Sequence, residues 1–412
     1  MKSPYFKRLE PLSQAYQVLD DAVSLPWTEV KTQEETMCGQ LGQFSFVQKI
    51  KIHGDHHNLG NRNDHFALKI LDTEKRPYAA KTSFERELDA NQRTTHPRIT
   101  PLLTAFEHRN RLYLIFPWAS GGNLKQLWEG STDRGFADHD WFSFDWMVDQ
   151  CYGIADALST FHEGNSEHSR RAFIHQDIKP ENILCFATSK DGKSSYTLKL
   201  ADFGFSGEVD RNFQIKKGRV PHTKTYRPPE QDLEGHYIDL KWDVWCLGCL
   251  YLEFITCAVL GWPHIKTFQE ERSQETYDKV HQTRIQEDIF FEKRDVNWMF
   301  SWFGKQGGKT SARVKPTVTS HIKRLRSQEK STATVKSFLD FIENNMLVVD
   351  TRKRASSDDV REFLGGLKLS GGYETVTQQM PVKPGLVPWL MSLLRRLWWS
   401  GGDQGGVYVP YM

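Results

Sequence analysis

Apolar and polar positions change rhythm along this chain, and the rhythm predicts its elements. Phe44, Phe46, Ile50 and Ile52 alternate with polar neighbours. A polar stretch, HGDHHNLGNRND, separates them from a second apolar run, FALKIL, at 66–71. A period of two sends successive side chains to opposite faces of a strand, so two strands joined by a long solvated loop are predicted. The loop's histidines, among Gly, Asn and Asp, read as an exposed turn rather than a metal site. A charged amphipathic helix is predicted over 82–94, and short strands follow HPRI, with RLYLIF the clearest. Past Gly121-Gly122 the period lengthens: Met147, Cys151, Ile154, Leu158 and Phe161 recur at helical spacing. From Val244 to Leu260 the chain is apolar nearly all round, as for a helix at the centre of a large domain. Residues 303–334 are rich in Lys, Arg, Gly, Ser and Thr and are expected to be in part a mobile loop. Residues 1–35 are polar with scattered apolar positions and a breaker at Pro26, and read as an N-terminal extension. The expectation is an α+β chain: a small, mostly antiparallel lobe followed by a larger helical one.

Composition narrows this without redirecting it. A length of 412 residues suits one two-lobed unit with modest extensions, and 38% hydrophobic with 26% charged residues is ordinary for a folded, water-exposed protein. Lys and Arg total 54 against 52 Asp and Glu, a net charge of +2, which gives no reason to expect a nucleic-acid partner. Cys38, Cys151, Cys185, Cys246, Cys249 and Cys257 lack paired metal spacing; Cys246 and Cys249 form a lone CxxC inside an apolar run. Buried thiols in a reducing compartment are expected. The N-terminal MKSPYFKRLE has no apolar signal core, and no run of about 18 apolar residues stands out as a membrane span. An intracellular, cytoplasmic protein is the expectation.

Candidate chemistry sits in separate segments. Lys69 lies mid-run in FALKIL, where a lone cation needs a partner, and Glu87 in SFERELDANQ is the natural one. FIHQDIKPENIL places Asp177, Lys179 and Asn182 close together after an apolar stretch, and LADFGFS follows with Asp202, Phe203 and Gly204. These segments resemble the catalytic loop and the metal-binding motif of eukaryotic-type protein kinases of the serine/threonine class, with Gln176 replacing the usual arginine after His175. The resemblance covers roughly 36–366 and implies a bilobal fold: N-lobe 36–117, hinge 117–122, C-lobe 123–366. It implies ATP with Mg2+, or Mn2+, as cofactors, and a Ser or Thr side chain of another protein as acceptor. Lys69 would contact the α- and β-phosphates with Glu87 as its partner; Asp177 would orient the substrate hydroxyl; Lys179 would stabilise the moving phosphoryl; Asn182 and Asp202 would hold the metal. Gly42, Val47, Ala67, Pro117, Ala119 and Leu184 would line the nucleotide pocket, with Phe116 guarding it. TKTYRPPE, with Thr223, resembles the end of an activation segment whose Glu230 pairs with Arg354, and Asp243 would tether the catalytic loop.

The pattern departs from the family in places. The glycine-rich loop keeps only Gly42, with Gln40 and Ser45 at the flanking glycine positions. Gln176 removes the cation that in many relatives receives an activation-segment phosphate, so activity independent of phosphorylation at Ser206, Thr223 or Thr225 is expected. Asn91 stands where the family packs an apolar side chain, which predicts a looser helix around Glu87. YRPPE and the basic insert at about 303–334 are similar to kinases of filamentous fungi. Within the tail, 367–412, the segment 386–399 places Trp389, Leu390, Leu393, Leu394 and Leu397 on one helical face, with Ser392, Arg395 and Arg396 opposite, suiting a membrane surface or a partner groove. Two alternatives stay open: a pseudokinase scaffold with weakened ATP binding, and a membrane or partner anchor carried by the tail.

Overall fold

The computed structural model describes residues 6–377 apart from 14, 30–44, 61–64, 75, 131–138, 165–170, 191–192, 211–223, 234–236, 275–276, 279–282, 285–286 and 296–309. It divides into two units at 368/369; the first carries everything below, and the second is described only through the helical residues 369–377. The first lobe comprises β1 (Gln17–Val18), β2 (Trp27–Glu29), β3 (Ser45–Ile52), β4 (His65–Asp72), helix α1 (Pro77–Arg93), β5 (Thr104–His108) and β6 (Arg111–Pro117). Its strands form one sheet in the order β1-β5-β6-β4-β3-β2, antiparallel except for β1 against β5.

Register decides what each face carries. Val47 lies opposite Lys69, Lys69 opposite Leu114, and Ala67 opposite Phe116, and directly opposed residues share a face. Leu71, Leu112 and Leu114 of that face pack against Phe84 and Leu88 of α1. Ile50, Ile52, Phe66, Leu68, Ile70, Tyr113 and Ile115 form the opposite face and pack under Leu9 and Leu19, with Leu25 and Trp27 beside them. β4 is covered on both sides, which is why FALKIL is nearly continuous in apolar residues.

That second cover corrects the reading of 1–35 as an extension. Residues 6–29 belong to the first lobe: Leu9 N donates to the His56 carbonyl, Leu12 N to Leu103 and Leu19 N to Glu107, each at 2.8 Å. Its apolar residues follow no strand or helix period because the segment crosses the sheet face irregularly, so pattern reading had nothing to detect.

The second lobe contains α2 (Leu124–Glu129), α3 (Phe144–Glu163), β7 (Arg171–Ile174), β8 (Ile183–Lys190), β9 (Lys193–Leu200), β10 (Gly207–Asp210), α4 (Lys241–Leu260) and α5 (Trp262–Gln274). There follow β11 (Tyr277–Asp278), β12 (Thr283–Arg284), β13 (Phe291–Asp295), β14 (Thr310–Val314), α6 (Pro316–Arg326), α7 (Ala333–Phe341) and α8 (Ser357–Thr377). α4 is buried from Trp242 to Val259 and centres a core shared with α3, α6 and α7. By length and composition it is apolar enough to cross a bilayer, which corrects the expectation that no such stretch exists, yet 94% of that window is packed inside the protein.

The basic stretch 303–334 also needs correction. Thr310–Val314 pairs with β13, and 316–326 is a helix that buries Val318, Ile322 and Leu325 while Lys323, Arg324 and Arg326 crowd its last turn. Composition alone hid an amphipathic period under a surplus of surface cations. Residues 303–309 and the tail segment 386–399 lie outside the described residues.

Candidate active site

Two strand pairs build the site. β7 pairs with β10 and β8 with β9, so the loop 175–182 and the loop 201–206 emerge side by side. Ala201 N donates to the Asn182 carbonyl at 2.9 Å, joining them.

The loop 175–182 is fixed from below by Asp243 in the first turn of α4. Its carboxylate accepts from His175 N at 2.7 Å and Gln176 N at 2.8 Å, and meets His162 Nε2 at 2.9 Å. Gln176 holds φ at +69°, a left-handed conformation that a non-glycine residue keeps only when its surroundings impose it; the two amides captured by Asp243 are that imposition. The loop then turns so that Asp177, Lys179 and Asn182 converge. Asn182 Nδ2 donates to Asp177 Oδ2 at 2.8 Å and to its carbonyl at 2.7 Å, and Lys179 Nζ lies 2.8 Å from Asp177 Oδ2. Burial works against the Lys179 charge, but Asp177 and then Asp202 outweigh it and hold its pKa above the ordinary lysine value.

The loop 201–206 sits across the cleft. Asp202 has φ +65°, and its Oδ1 is 2.8 Å from Lys69 Nζ, which also meets Glu87 Oε2 at 3.1 Å. Glu87 accepts from Phe203 N through its other oxygen at 3.1 Å, so α1, β4 and this loop are tied by one carboxylate and one ammonium. Phe203 packs 4.9 Å from both Phe161 and His175. Gly204 has no room for a side chain: a Cβ there would run into Ser83 Oγ of α1.

Electrostatics favour the charged forms of Lys69 and Asp202. Burial opposes the Lys69 charge, and Asp202 and Glu87 more than restore it, so its pKa is raised. Burial pushes the Glu87 carboxyl up, with Lys69 only partly pulling it back. For Asp202 burial also acts upward, but Lys69, then Lys179 and His175, bring it down to about 2. Its side chain is 38% exposed, whereas that of Asp177 is 2% exposed, so Asp202 presents charge to the cleft while Asp177 works from within.

Around this centre, Val47, Ala67 and Phe116 share the Lys69 face of the sheet by register. Pro117 ends β6, Ala119 is buried, and Leu184 bridges to Asn123 while Cys185 exchanges backbone hydrogen bonds with Gly121 and Gly122. Gly42 and Thr223 lie outside the described residues. Glu230 and Arg354, both buried, form a two-pronged pair at 2.7 and 2.9 Å.

Sequence reasoning did not foresee His162, which meets Asp243 on one ring nitrogen and Ser357 Oγ, at 2.9 Å, on the other. It lay hidden beside Phe161 in an apolar helical pattern, and a histidine in such a run gives no partner away. Asn91 corrects an expectation. Its Nδ2 donates to the Glu87 carbonyl at 3.0 Å and its Oδ1 accepts from Leu102 N at 2.9 Å, so the side chain ties α1 down rather than loosening it. The lone CxxC is buried within α4, and burial raises both thiols well above their ordinary pKa, which suits core packing.

A family model for the protein kinase domain matches residues 41–363. The chain is 33% identical over 227 residues to Aurora kinase B of Drosophila melanogaster, covering 54% of this chain and 60% of that protein. It is 31% identical over 231 residues to Aurora/IPL1-related protein kinase 2 of Caenorhabditis briggsae, covering 56% and 65%. To the Aurora kinase of Saccharomyces cerevisiae it is 29% identical over 215 residues, covering 52% and 50%. The match thus spans less than two thirds of these relatives' own lengths. Lys69 joined to Glu87 and Asp202, and Asp177 joined to Lys179 and Asn182, all lie within the matched span, and the chain belongs to the protein kinase family.

Proposed function

We propose that this chain transfers the γ-phosphoryl group of ATP to serine or threonine side chains of a protein substrate. The observation that carries the reading is Lys69 held between Glu87 and Asp202 directly across the cleft from the Asp177, Lys179 and Asn182 cluster. Phosphoryl transfer demands little covalent chemistry from a protein and much positioning of charge, and these residues supply it. Lys69 orients the α- and β-phosphates from a strand whose partner strands fix its direction. Asp177 receives or orients the acceptor hydroxyl proton, and Lys179 beside it offsets charge on the moving group. Asp202 and Asn182 offer hard oxygen atoms of the kind Mg2+ takes, and Mn2+ suits the same set. Such an ion, when bound, neutralises phosphate charge. Lys179 in its loop and the TKTY stretch support Ser/Thr over Tyr.

Gln176 supports activity without activation-segment phosphorylation. The scaffold reading loses ground because a mere scaffold has no physical need for this full polar set in contact. Buried thiols at Cys151, Cys185, Cys246, Cys249 and Cys257 suit a reducing, intracellular setting. The segment 386–399 is the candidate contact with a membrane surface or partner, tested by truncation at about residue 380 and vesicle flotation.

Transfer from labelled ATP with Mg2+ to the chain itself and to generic basic substrates tests the main reading. Incorporation on Ser or Thr that Asp177→Ala and Asp202→Ala both abolish supports it. No incorporation by the wild type, even with Mn2+ and high ATP, sinks it.

A further inference from the structure

We infer that Tyr16, with Leu12, is a positioning residue for the Lys69 and Glu87 pair, and that the N-terminal segment is a built-in buttress of helix α1. The inference rests on the kinase reading for its effect on rate, but its structural half stands apart from it. Residues 9–19 are fastened to the sheet at both ends: Leu9 N to the His56 carbonyl and Asn58 N to the Leu9 carbonyl, then Leu19 N to Glu107, with β1 lying along β5. Leu9 and Leu19 are buried. Between them, Leu12 N holds the Leu103 carbonyl, and Leu12 and Tyr16 pack on the cluster formed by α1 and the sheet. The Tyr16 ring meets Phe84 edge-on, with centroids 5.0 Å apart and planes at 90°.

Phe84 is fully buried and precedes Glu87 by one helical turn, so the two share a face of α1. Glu87 holds Lys69 and Phe203 N. α1 begins at Pro77 after Arg76, which makes no side-chain cap, so its seat depends on lateral packing. Tyr16 supplies a lateral wall at the turn before Glu87. Small displacements of charged groups in such a site cost rate steeply, roughly 100-fold for 1 Å.

The full chain is compared with Tyr16→Ala, Tyr16→Phe and Leu12→Ala. Hydrogen exchange of α1 amides without nucleotide is the first readout, and kcat against KM for a generic basic substrate the second. Tyr16→Ala is expected to speed α1 exchange about tenfold while leaving α4 unchanged, and to lower kcat about tenfold at saturating ATP with substrate KM unmoved. Leu12→Ala should do the same more weakly, and it replaces Tyr16→Ala if that variant does not fold. Tyr16→Phe should match wild type in both, because the ring makes the contact. Wild-type exchange in both alanine variants, acceleration spread equally over α4, or a Tyr16→Phe defect as large as that of Tyr16→Ala would overturn the proposal. If wild type transfers no phosphate, the kinase reading falls and the exchange arm alone decides the buttress.

Discussion

At the residue scale, several of the most deeply buried charges are held by opposite partners. Arg354 bridges Glu230 with two nitrogens, gives its Nε to the Val348 carbonyl at 2.9 Å, and lies over the Trp245 ring. Arg354→Met strands the Glu230 carboxylate, and a loss of about 3–5 kcal/mol in urea unfolding is expected. Pairing it with Glu230→Gln should recover part of that loss, because the stranded charge is gone. Lys69→Met removes the cation between two carboxylates and leaves the fold's apolar contacts intact. Turnover should fall at least about 100-fold, and the melting temperature should fall with it because the buried Glu87 loses its partner, measured by phosphate transfer and calorimetry. Sequence reading found each of these residues, because a charge within an apolar or motif-like segment stands out. It did not find His162 and it misread Asn91, whose roles follow from what lies across the fold.

At the element scale, residues 287–293 after α5 are bound into the molecule through the residues around Tyr226. Tyr226 donates to Glu253 at 2.6 Å, and Arg272 of α5 joins Glu253 at 2.9 Å to Asp288 at 2.6 Å while lying between Phe268 and Phe290, 4.1 Å from each. Arg227 reaches Asp232 and Glu287, each at 3.0 Å, and Lys293 of β13 also meets Asp232. Burial separates the expected outcomes. Arg272→Met leaves two carboxylates without their common partner and should cost about 3–5 kcal/mol. Lys293, half-exposed, should cost under about 1 kcal/mol on replacement by Ala. Equal losses in chemical denaturation would contradict this division. α3 was legible from its helical period, and α4, β4 and β6 from apolar runs whose lengths suit a buried helix and buried strands. β14 and α6 were not, because β14 pairs with the distant β13 and the basic stretch 303–334 has the composition of a loop.

At the scale of the whole molecule, acid sensitivity has a defined source. His321 is buried against Phe268, bonded to Thr256, and faced by Arg324, Arg272 and His264; burial first, then the charges of Arg324 and Arg272, lower its pKa from 6.5 to about 3. The unfolded chain therefore binds a proton between those values that the native state refuses, so stability rises with pH through that window. This one group should remove about 2 kcal/mol between pH 8 and pH 5. His321→Gln should flatten that part of the denaturation profile; an unchanged slope would count against the assignment. Activity is expected to survive phosphatase treatment of the purified chain, since Gln176 offers no cation to a phosphate. Loss of transfer after dephosphorylation would show that another residue receives one.

The sequence by itself determined the α+β class, the order of the main strands and helices, and the charged residues of the site, because period and motif are local properties. Tertiary structure alone decided that residues 6–29 cover the sheet, that Asn91 braces α1, and that Lys69 meets Asp202 as well as Glu87. Those outcomes depend on contacts between distant segments, and neither hydropathy nor spacing along the chain records which surface a given residue will meet.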